Sequence, residues 1–181
     1  MVNSLNFVVY MGGTCGDLIT AMIDSTDARL GDQGQVLLLP DQVKLKKPHQ
    51  FISDDERDQY VQAALINYRS LSSHDIEYHQ RKHHQFLAIG VKNYITATWA
   101  AQRFKDLHQP HVWEEMMQVC GAKTVGQYAE TMLHYTNLVE PLATHVIWLE
   151  DILVGEVHIQ LQQYFQTVDV EFYQSWLKAN T

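Results

Sequence analysis

The stretch from Asn6 to Asp24 reads NFVVYMGGTCGDLITAMID and constrains the fold more than any other part of the chain. Its first third is β-branched or aromatic, which is typical of a buried strand, and its last third carries apolar residues at helical spacing. Between these parts, Gly12, Gly13 and Gly16 allow the backbone to turn sharply. The pattern predicts a strand, a tight loop and a helix.

A loop of this kind directs backbone N–H groups and the positive end of a helix dipole toward one point beyond the strand, where an anion can bind. We therefore interpret the loop as a candidate site for a phosphate-like group. Its residues are Gly12, Gly13, Thr14, Cys15, Gly16 and Asp17. The same glycines also fit a tight turn without a ligand, in which Asp17 satisfies the helix dipole itself. Cys15 is either a thiol activated by the helix N-terminus or a packed, inert side chain.

Composition limits the class of protein. The chain has 181 residues, 46% of them hydrophobic, and no Pro/Gly/Ser-rich linker, so residues 1–181 are predicted to form a single domain. A formal net charge of −8 disfavours nonspecific binding to nucleic acid or to an anionic membrane. Two cysteines are too few for a disulfide framework, and neither a signal-peptide pattern nor a membrane-spanning stretch is present. We expect a cytoplasmic protein.

The remaining pattern alternates between strands and helices. Further strands are predicted at residues 35–39, 68–73, 86–91 and 144–149, and further helices at 53–67, 94–104, 111–120, 124–138, 157–165 and 170–177. The strand at 35–39 belongs either to a hairpin or to the main sheet. Alternation of this kind predicts an α/β fold, a three-layer α/β/α arrangement with a mainly parallel sheet covered on both faces.

The order of these pieces resembles the sulfotransferase family, which shares the P-loop nucleotide-binding fold. In that family the first loop cradles the 5′-phosphosulfate of the donor 3′-phosphoadenosine-5′-phosphosulfate (PAPS). The stretch from Thr14 to Leu18 stands at that position, with Gly16 retained and Asp17 where the family has a hydroxyl. The terminal stretch HVIWLEDIL, a strand ending in an acidic pair, is also similar to the family's.

Two further motifs extend the resemblance. The apolar strand ending at Lys92 is similar to the family's second motif, which holds the 3′-phosphate of the donor. Ser73 and His74 look similar to a strand end whose histidine removes the hydroxyl proton of the acceptor. The resemblance thus implies a P-loop/sulfotransferase-like fold with PAPS as cofactor, Lys92 and the glycine-rich loop as its binding residues, and His74 as the catalytic base.

The partners implied are a small-molecule donor and an acceptor with a hydroxyl or amine that the sequence does not identify. Oligomeric state is left open. One alternative is a non-catalytic binding or assembly protein that retains the P-loop fold, which Asp17 favours because a carboxylate repels a phosphate at close range. Another is an enzyme that uses the same loop for a different nucleotide or sugar-phosphate donor. ATP hydrolysis is not expected, because the G-x-x-x-x-G-K-[ST] pattern is absent.

Overall fold

The computed structural model describes residues 6–24, 28–38, 63–67 and 85–180. The strands of these ranges are β1 (Asn6–Tyr10), β2 (Ala28–Leu30), β3 (Val36–Leu38), β4 (Ala63–Asn67), β5 (Gln85–Gly90) and β6 (His145–Trp148). The α-helices are α1 (Gly16–Asp24), α2 (Tyr94–Leu107), α3 (Pro110–Cys120), α4 (Val125–Val139), α5 (Leu149–Val154), α6 (Val157–Tyr164) and α7 (Val170–Asn180), and a 3₁₀ turn spans Glu140–Leu142.

Four strands form a parallel sheet in the order β4-β1-β5-β6. Val8 of the central strand β1 is aligned with Leu65 on one side and with Leu87 on the other, which fixes the register. The strands β2 and β3 pair with each other as a separate antiparallel hairpin. The chain is therefore an α/β protein with a parallel sheet.

Both faces of the sheet are covered. Val8 and Val9 are consecutive residues of β1, and each is fully buried. Because consecutive side chains of a strand point to opposite faces, burial of both requires packing on each side. Helix α1 packs on β1 and β4, and α4 packs on β5 and on α2. This arrangement is compatible with three α/β/α layers.

Several sequence predictions are confirmed. The strand, loop and helix of the first stretch are present, as are the strands at 86–91 and 144–149 within about one residue and the helices from 94 onward. The strand predicted at 35–39 is β3, which pairs with β2 in a hairpin and not with the main sheet. The strand predicted at 68–73 lies outside the described residues. None of the helices in the described ranges is both long and apolar enough to cross a membrane.

One prediction was wrong in part. The helix expected over 53–67 includes residues 63–67, which form strand β4, whereas residues 53–62 lie outside the described ranges. The AALIN segment has helix-forming Ala and Leu residues, and a short apolar run cannot be distinguished from a buried strand by periodicity. Parallel pairing of all five residues with β1 overrides the local helix propensity.

Candidate functional site

The glycine-rich loop runs from the end of β1 to the start of α1. Thr14 donates two hydrogen bonds to the carbonyl oxygen of Met11, one from its amide at 3.1 Å and one from its hydroxyl at 2.7 Å. These two hydrogen bonds close the turn of the loop. Gly13 has a φ of +97°, and a Cβ there would lie 2.3 Å from the carbonyl oxygen of Ala100 on α2. The loop can follow this path against α2 only because glycine has no side chain.

Helix α1 begins directly after Cys15, whose carbonyl oxygen accepts the first helical hydrogen bond from the amide of Ile19 at 3.2 Å. Cys15 itself has a φ of +65°, in the left-handed region that a non-glycine residue rarely adopts. The first amides of α1, those of Gly16, Asp17 and Leu18, have no acceptor within the helix, as at any helix start. A helix start of this kind can donate hydrogen bonds to an anion.

Aromatic residues of α2, α3 and α4 hold the start of the loop at Gly12. The hydroxyl of Tyr128 on α4 donates a hydrogen bond to the carbonyl oxygen of Gly12 at 3.2 Å, and Tyr128 is fully buried. Its ring packs against Phe104 and Trp113, with ring centroids 6.1 and 5.5 Å away. The loop is thus attached to the helical layer at a fixed point.

A cleft of about 540 Å³ opens beside the loop. One wall is the loop itself, a second is strand β3 with the preceding Gln35, and the others come from the end of α2, the start of α3 and Trp176 on α7. This volume lies within the range of small-molecule sites, roughly 300–1,000 Å³. The glycine-rich loop and a ligand-sized cleft therefore occur together.

Arg103 on α2 provides a cation that sequence reasoning missed. It lines the cleft with its guanidinium 5.7 Å from the ring centroids of both Trp99 and Trp176. Its Nη2 donates to the carbonyl oxygen of Gly34 at 3.4 Å, beside Asn180, whose amide donates to the same oxygen at 3.0 Å. Burial lowers the pKa of Arg103, but arginine remains charged at neutral pH.

Asp17 also lines the cleft. Its side chain reaches solvent, yet the surrounding protein desolvates the carboxyl and raises its pKa to about 6, while nearby His108 acts in the opposite direction. A bound anion would raise this pKa further, because it disfavours the ionised carboxylate. Asp17 is therefore able to adopt its neutral form at mildly acidic pH.

His108 ends α2 and is the second cleft residue that sequence reasoning missed. Its Nδ1 lies 2.9 Å from the carbonyl oxygen of Phe104. Because a carbonyl oxygen only accepts hydrogen bonds, this contact requires a proton on Nδ1. The spacing of Arg103, Phe104, Leu107 and His108 places them on one side of the helix, but it does not indicate what that side packs against.

The Cys15 thiol has an environment that keeps it protonated. Burial raises its pKa to about 12, with a further rise from Asp17 and an opposing effect of Arg103. This direction is opposite to that of reactive cysteines at helix N-termini. It favours the packed, inert alternative for Cys15.

Among the predicted site residues in the described ranges, Thr14 and Lys92 are not brought into the cleft. Lys92 follows β5, is exposed, and places its Nζ 3.4 Å from Asp151 and 5.2 Å from the ring centroid of Trp148. It does not line the cleft. His74 lies outside the described residues. No group of three or more His, Cys, Asp or Glu side chains in the described ranges is arranged to hold a metal ion.

The chain matches no protein-family model, and searches of curated proteins and of solved structures found no match. The functional argument therefore depends on the geometry and chemistry of the cleft.

Proposed function

We propose that this chain is a sulfotransferase-like protein of the P-loop fold. It binds a PAPS-type donor with the phosphosulfate on the loop from Gly12 to Asp17, and it transfers the sulfuryl group to a hydroxyl or amine acceptor. The observation that carries the proposal is that the loop joins the central parallel strand to α1 and lines a cleft of about 540 Å³ together with Arg103.

The position of the cleft in the sheet supports this proposal. From β1 the chain continues to β4 on one side, whereas from β5 it continues to β6 on the other side. In open parallel sheets, ligands bind beyond the carboxyl ends of the strands where the direction of winding changes. The glycine-rich loop follows β1 at that edge.

The charges available in the cleft also support it. Stabilising a transferred sulfuryl group requires donors and cations around its oxygens, and the loop itself contains no lysine or arginine. Arg103 supplies the missing cation, and its planar group can bind two oxygens at once. The amides at the start of α1 supply further donors.

The chemical step breaks the bond between sulfur and the phosphate oxygen of the donor and forms a bond between sulfur and the acceptor oxygen or nitrogen. The acceptor proton passes to a base, for which His74 remains the sequence-based prediction.

A second candidate is a binding or assembly protein that retains the fold without catalysis. Lys92 favours it, because this lysine is paired with Asp151 and lies outside the cleft that would hold the donor. Asp17 favours it as well, because its carboxylate opposes anion binding at neutral pH.

Calorimetric titration with adenosine 3′,5′-bisphosphate tests the proposal. We expect one-to-one binding with a micromolar dissociation constant at low salt. Arg103→Gln should weaken this binding by about tenfold or more, because it removes charged hydrogen bonds to a phosphate. The matched control is Lys105→Gln, which removes an exposed cation two residues away on α2 and should change the affinity little.

Lys92→Ala tests the 3′-phosphate assignment separately. Weaker binding in this variant supports the assignment, whereas unchanged affinity assigns the 3′-phosphate to other residues. If the wild-type protein gives neither heat nor thermal stabilisation at millimolar ligand, the donor proposal is rejected and the non-catalytic alternative remains.

A further inference from the structure

The guanidinium of Arg103 contacts three elements of the fold. It lies 5.7 Å from the ring centroid of Trp99 on its own helix and 5.7 Å from that of Trp176 on α7. Its Nη2 donates to the carbonyl oxygen of Gly34, in the turn between β2 and β3, at 3.4 Å, which is long for a hydrogen bond. A guanidinium carries several N–H donors, and in the described ranges Arg103 uses one of them in this way. Further donors can therefore bind an anion in the cleft.

The side-chain amide of Asn180 donates to the same carbonyl oxygen. Its Nδ2 lies 3.0 Å from the oxygen of Gly34 and 2.8 Å from the carbonyl oxygen of Trp176, one turn earlier on α7. Both oxygens only accept hydrogen bonds, so the amide nitrogen and not the amide oxygen must face them. The contact is close, because a Cβ added at Gly34 would lie 2.7 Å from this nitrogen. Asn180 therefore fixes the oxygen that holds Arg103.

Asn180 can act on a ligand of the cleft only through other residues. It does not line the cleft, and its side chain carries no charge that would attract an anion. Trp176 and Asn180 are four positions apart, on one face of α7, so this helix supplies both a ring beside the guanidinium and the amide beside its acceptor. An arginine that is already held in place loses less conformational entropy when it binds an anion.

We propose that Asn180 is a positioning residue for Arg103. By holding the carbonyl oxygen of Gly34, it keeps the guanidinium in place at the wall of the cleft, where a sulfate or phosphate group binds. This role rests on the proposed function, in which Arg103 binds an anionic group of the donor. The C-terminal helix thereby takes part in anion binding through a residue outside the cleft.

Inorganic pyrophosphate is the probe for this role, because it presents the anion without the adenosine group. Tryptophan fluorescence follows the titrations, including weak binding at high ligand concentration, because Trp99 and Trp176 flank the guanidinium. We expect Asn180→Ala to weaken pyrophosphate binding by about fivefold, the order of effect of having to immobilise one long side chain on binding. The matched control is Gln174→Ala, which removes a side-chain amide from an exposed position on the same helix and should have no effect.

A double-mutant cycle separates positioning from a general loosening of the fold. Arg103→Gln removes the cation and should itself weaken pyrophosphate binding by about tenfold or more. Because Asn180 acts through Arg103, adding Asn180→Ala to Arg103→Gln should cause no further loss of affinity. An equal loss from Asn180→Ala in both backgrounds would mean that the amide supports the cleft as a whole, which overturns the proposal. Circular dichroism and urea denaturation establish that all the variants fold.

The remaining outcomes separate this inference from the donor proposal. Unchanged affinity of Asn180→Ala for pyrophosphate overturns the positioning role and leaves the donor proposal intact. Absence of pyrophosphate binding by the wild-type protein overturns the positioning role too, whether or not adenosine 3′,5′-bisphosphate binds. A loss of pyrophosphate affinity that depends on Arg103, in a protein that does not bind adenosine 3′,5′-bisphosphate, supports the positioning role and rejects the PAPS donor.

Discussion

The hydroxyl of Tyr128 and the carbonyl oxygen of Gly12 are 3.2 Å apart, although 116 positions separate the two residues in the chain. In the peptide unit that follows Gly12, the N–H of Gly13 points away from this carbonyl, because the two groups of a trans peptide are antiparallel. The hydrogen bond therefore fixes the orientation of one peptide unit of the loop from outside the loop. Helix α4 and the candidate anion site are linked by this contact.

Tyr128→Phe is predicted to lower the free energy of unfolding by about 1–3 kcal/mol, because the carbonyl oxygen of the buried residue Gly12 loses its hydrogen-bond donor. Urea denaturation measures this loss. Tyr164→Phe is the control, since Tyr164 is exposed and its ring stacks on His145, a contact that phenylalanine retains. Equal stability of the Tyr128 variant and the wild type would show that the hydroxyl does not hold the loop.

Gly13→Ala is predicted to destabilise the protein more than Gly121→Ala. Both glycines have positive φ, at +97° and +63°, so each substitution incurs the backbone cost of the left-handed region, about 1–2 kcal/mol. A Cβ at Gly13 would also approach the Ala100 carbonyl oxygen to 2.3 Å, whereas at Gly121 nothing lies within 4 Å. The loop or α2 must therefore shift in the Gly13 variant alone.

Thermal denaturation of the two alanine variants separates the backbone cost, which both share, from the cost of the close contact with Ala100, which only Gly13→Ala incurs. Gly13→Ala should also lose adenosine 3′,5′-bisphosphate binding. If both variants lose the same stability, the close contact between the loop and α2 is absent in solution.

Asp17→Asn is predicted to stabilise the protein near neutral pH. Desolvation by the surrounding protein raises the pKa of Asp17 to about 6, although its side chain reaches solvent, so between about pH 4 and pH 6 the native state binds its proton more readily than the unfolded chain does. The unfavourable contribution of Asp17 therefore grows as the pH rises through this window and is complete above it. Below about pH 4 both states are protonated, and the difference between wild type and variant should vanish.

Melting temperatures of wild type and Asp17→Asn, measured from acidic to neutral pH, test whether the stability difference between them grows as the pH rises. Glu130→Gln neutralises an exposed carboxylate on α4, outside the cleft, and serves as the control. The same logic predicts that wild-type affinity for adenosine 3′,5′-bisphosphate increases as the pH falls through about 6 and that Asp17→Asn removes this increase. Parallel pH profiles of wild type and Asp17→Asn would contradict both expectations.

The local part of the candidate site could be predicted from the sequence. A β-branched run, three closely spaced glycines and a helical apolar pattern are consecutive in the chain, so Val8, Gly13 and Leu18 each specify structure through their immediate neighbours. The same holds for strand β5, whose continuous apolar run is explained by burial on both faces.

The non-local part could not be predicted. Arg103 belongs to the site because α2 packs its last turns against the loop and the hairpin, and no motif in the sequence indicates that contact. Likewise, Ala63–Asn67 forms a strand because β1 offers it a partner, which local propensity does not record. Lys92 was placed by resemblance at the end of β5, where it occurs, but its pairing with Asp151 depends on the fold.

Glu150 attaches α5 to the turn between β5 and α2. Its Oε1 accepts hydrogen bonds from the amide of Lys92 at 3.0 Å, the amide of Asn93 at 3.2 Å and the side-chain Nδ2 of Asn93 at 2.9 Å. Asn93 is in turn the N-cap of α2, accepting from the amide of Thr96 at 2.9 Å. One carboxylate oxygen therefore orders the start of the helix that carries Arg103 and His108 at its other end.

Glu150→Ala is predicted to cost about 1.5–3 kcal/mol of unfolding free energy, the range for hydrogen bonds to a charged group. Lys92→Ala keeps the amide of residue 92 and removes the exposed ion pair with Asp151, which should contribute about 0–1 kcal/mol. Lys92→Ala is a cleaner comparison than Asp151→Ala, because Asp151 Oδ2 also accepts a hydrogen bond from the side-chain amide of Gln160 at 3.0 Å. Urea denaturation of the Glu150 and Lys92 variants makes the comparison. If Lys92→Ala proves the more destabilising, the exposed ion pair rather than Glu150 holds this turn, and the start of α2 is not positioned by the Glu150 carboxylate.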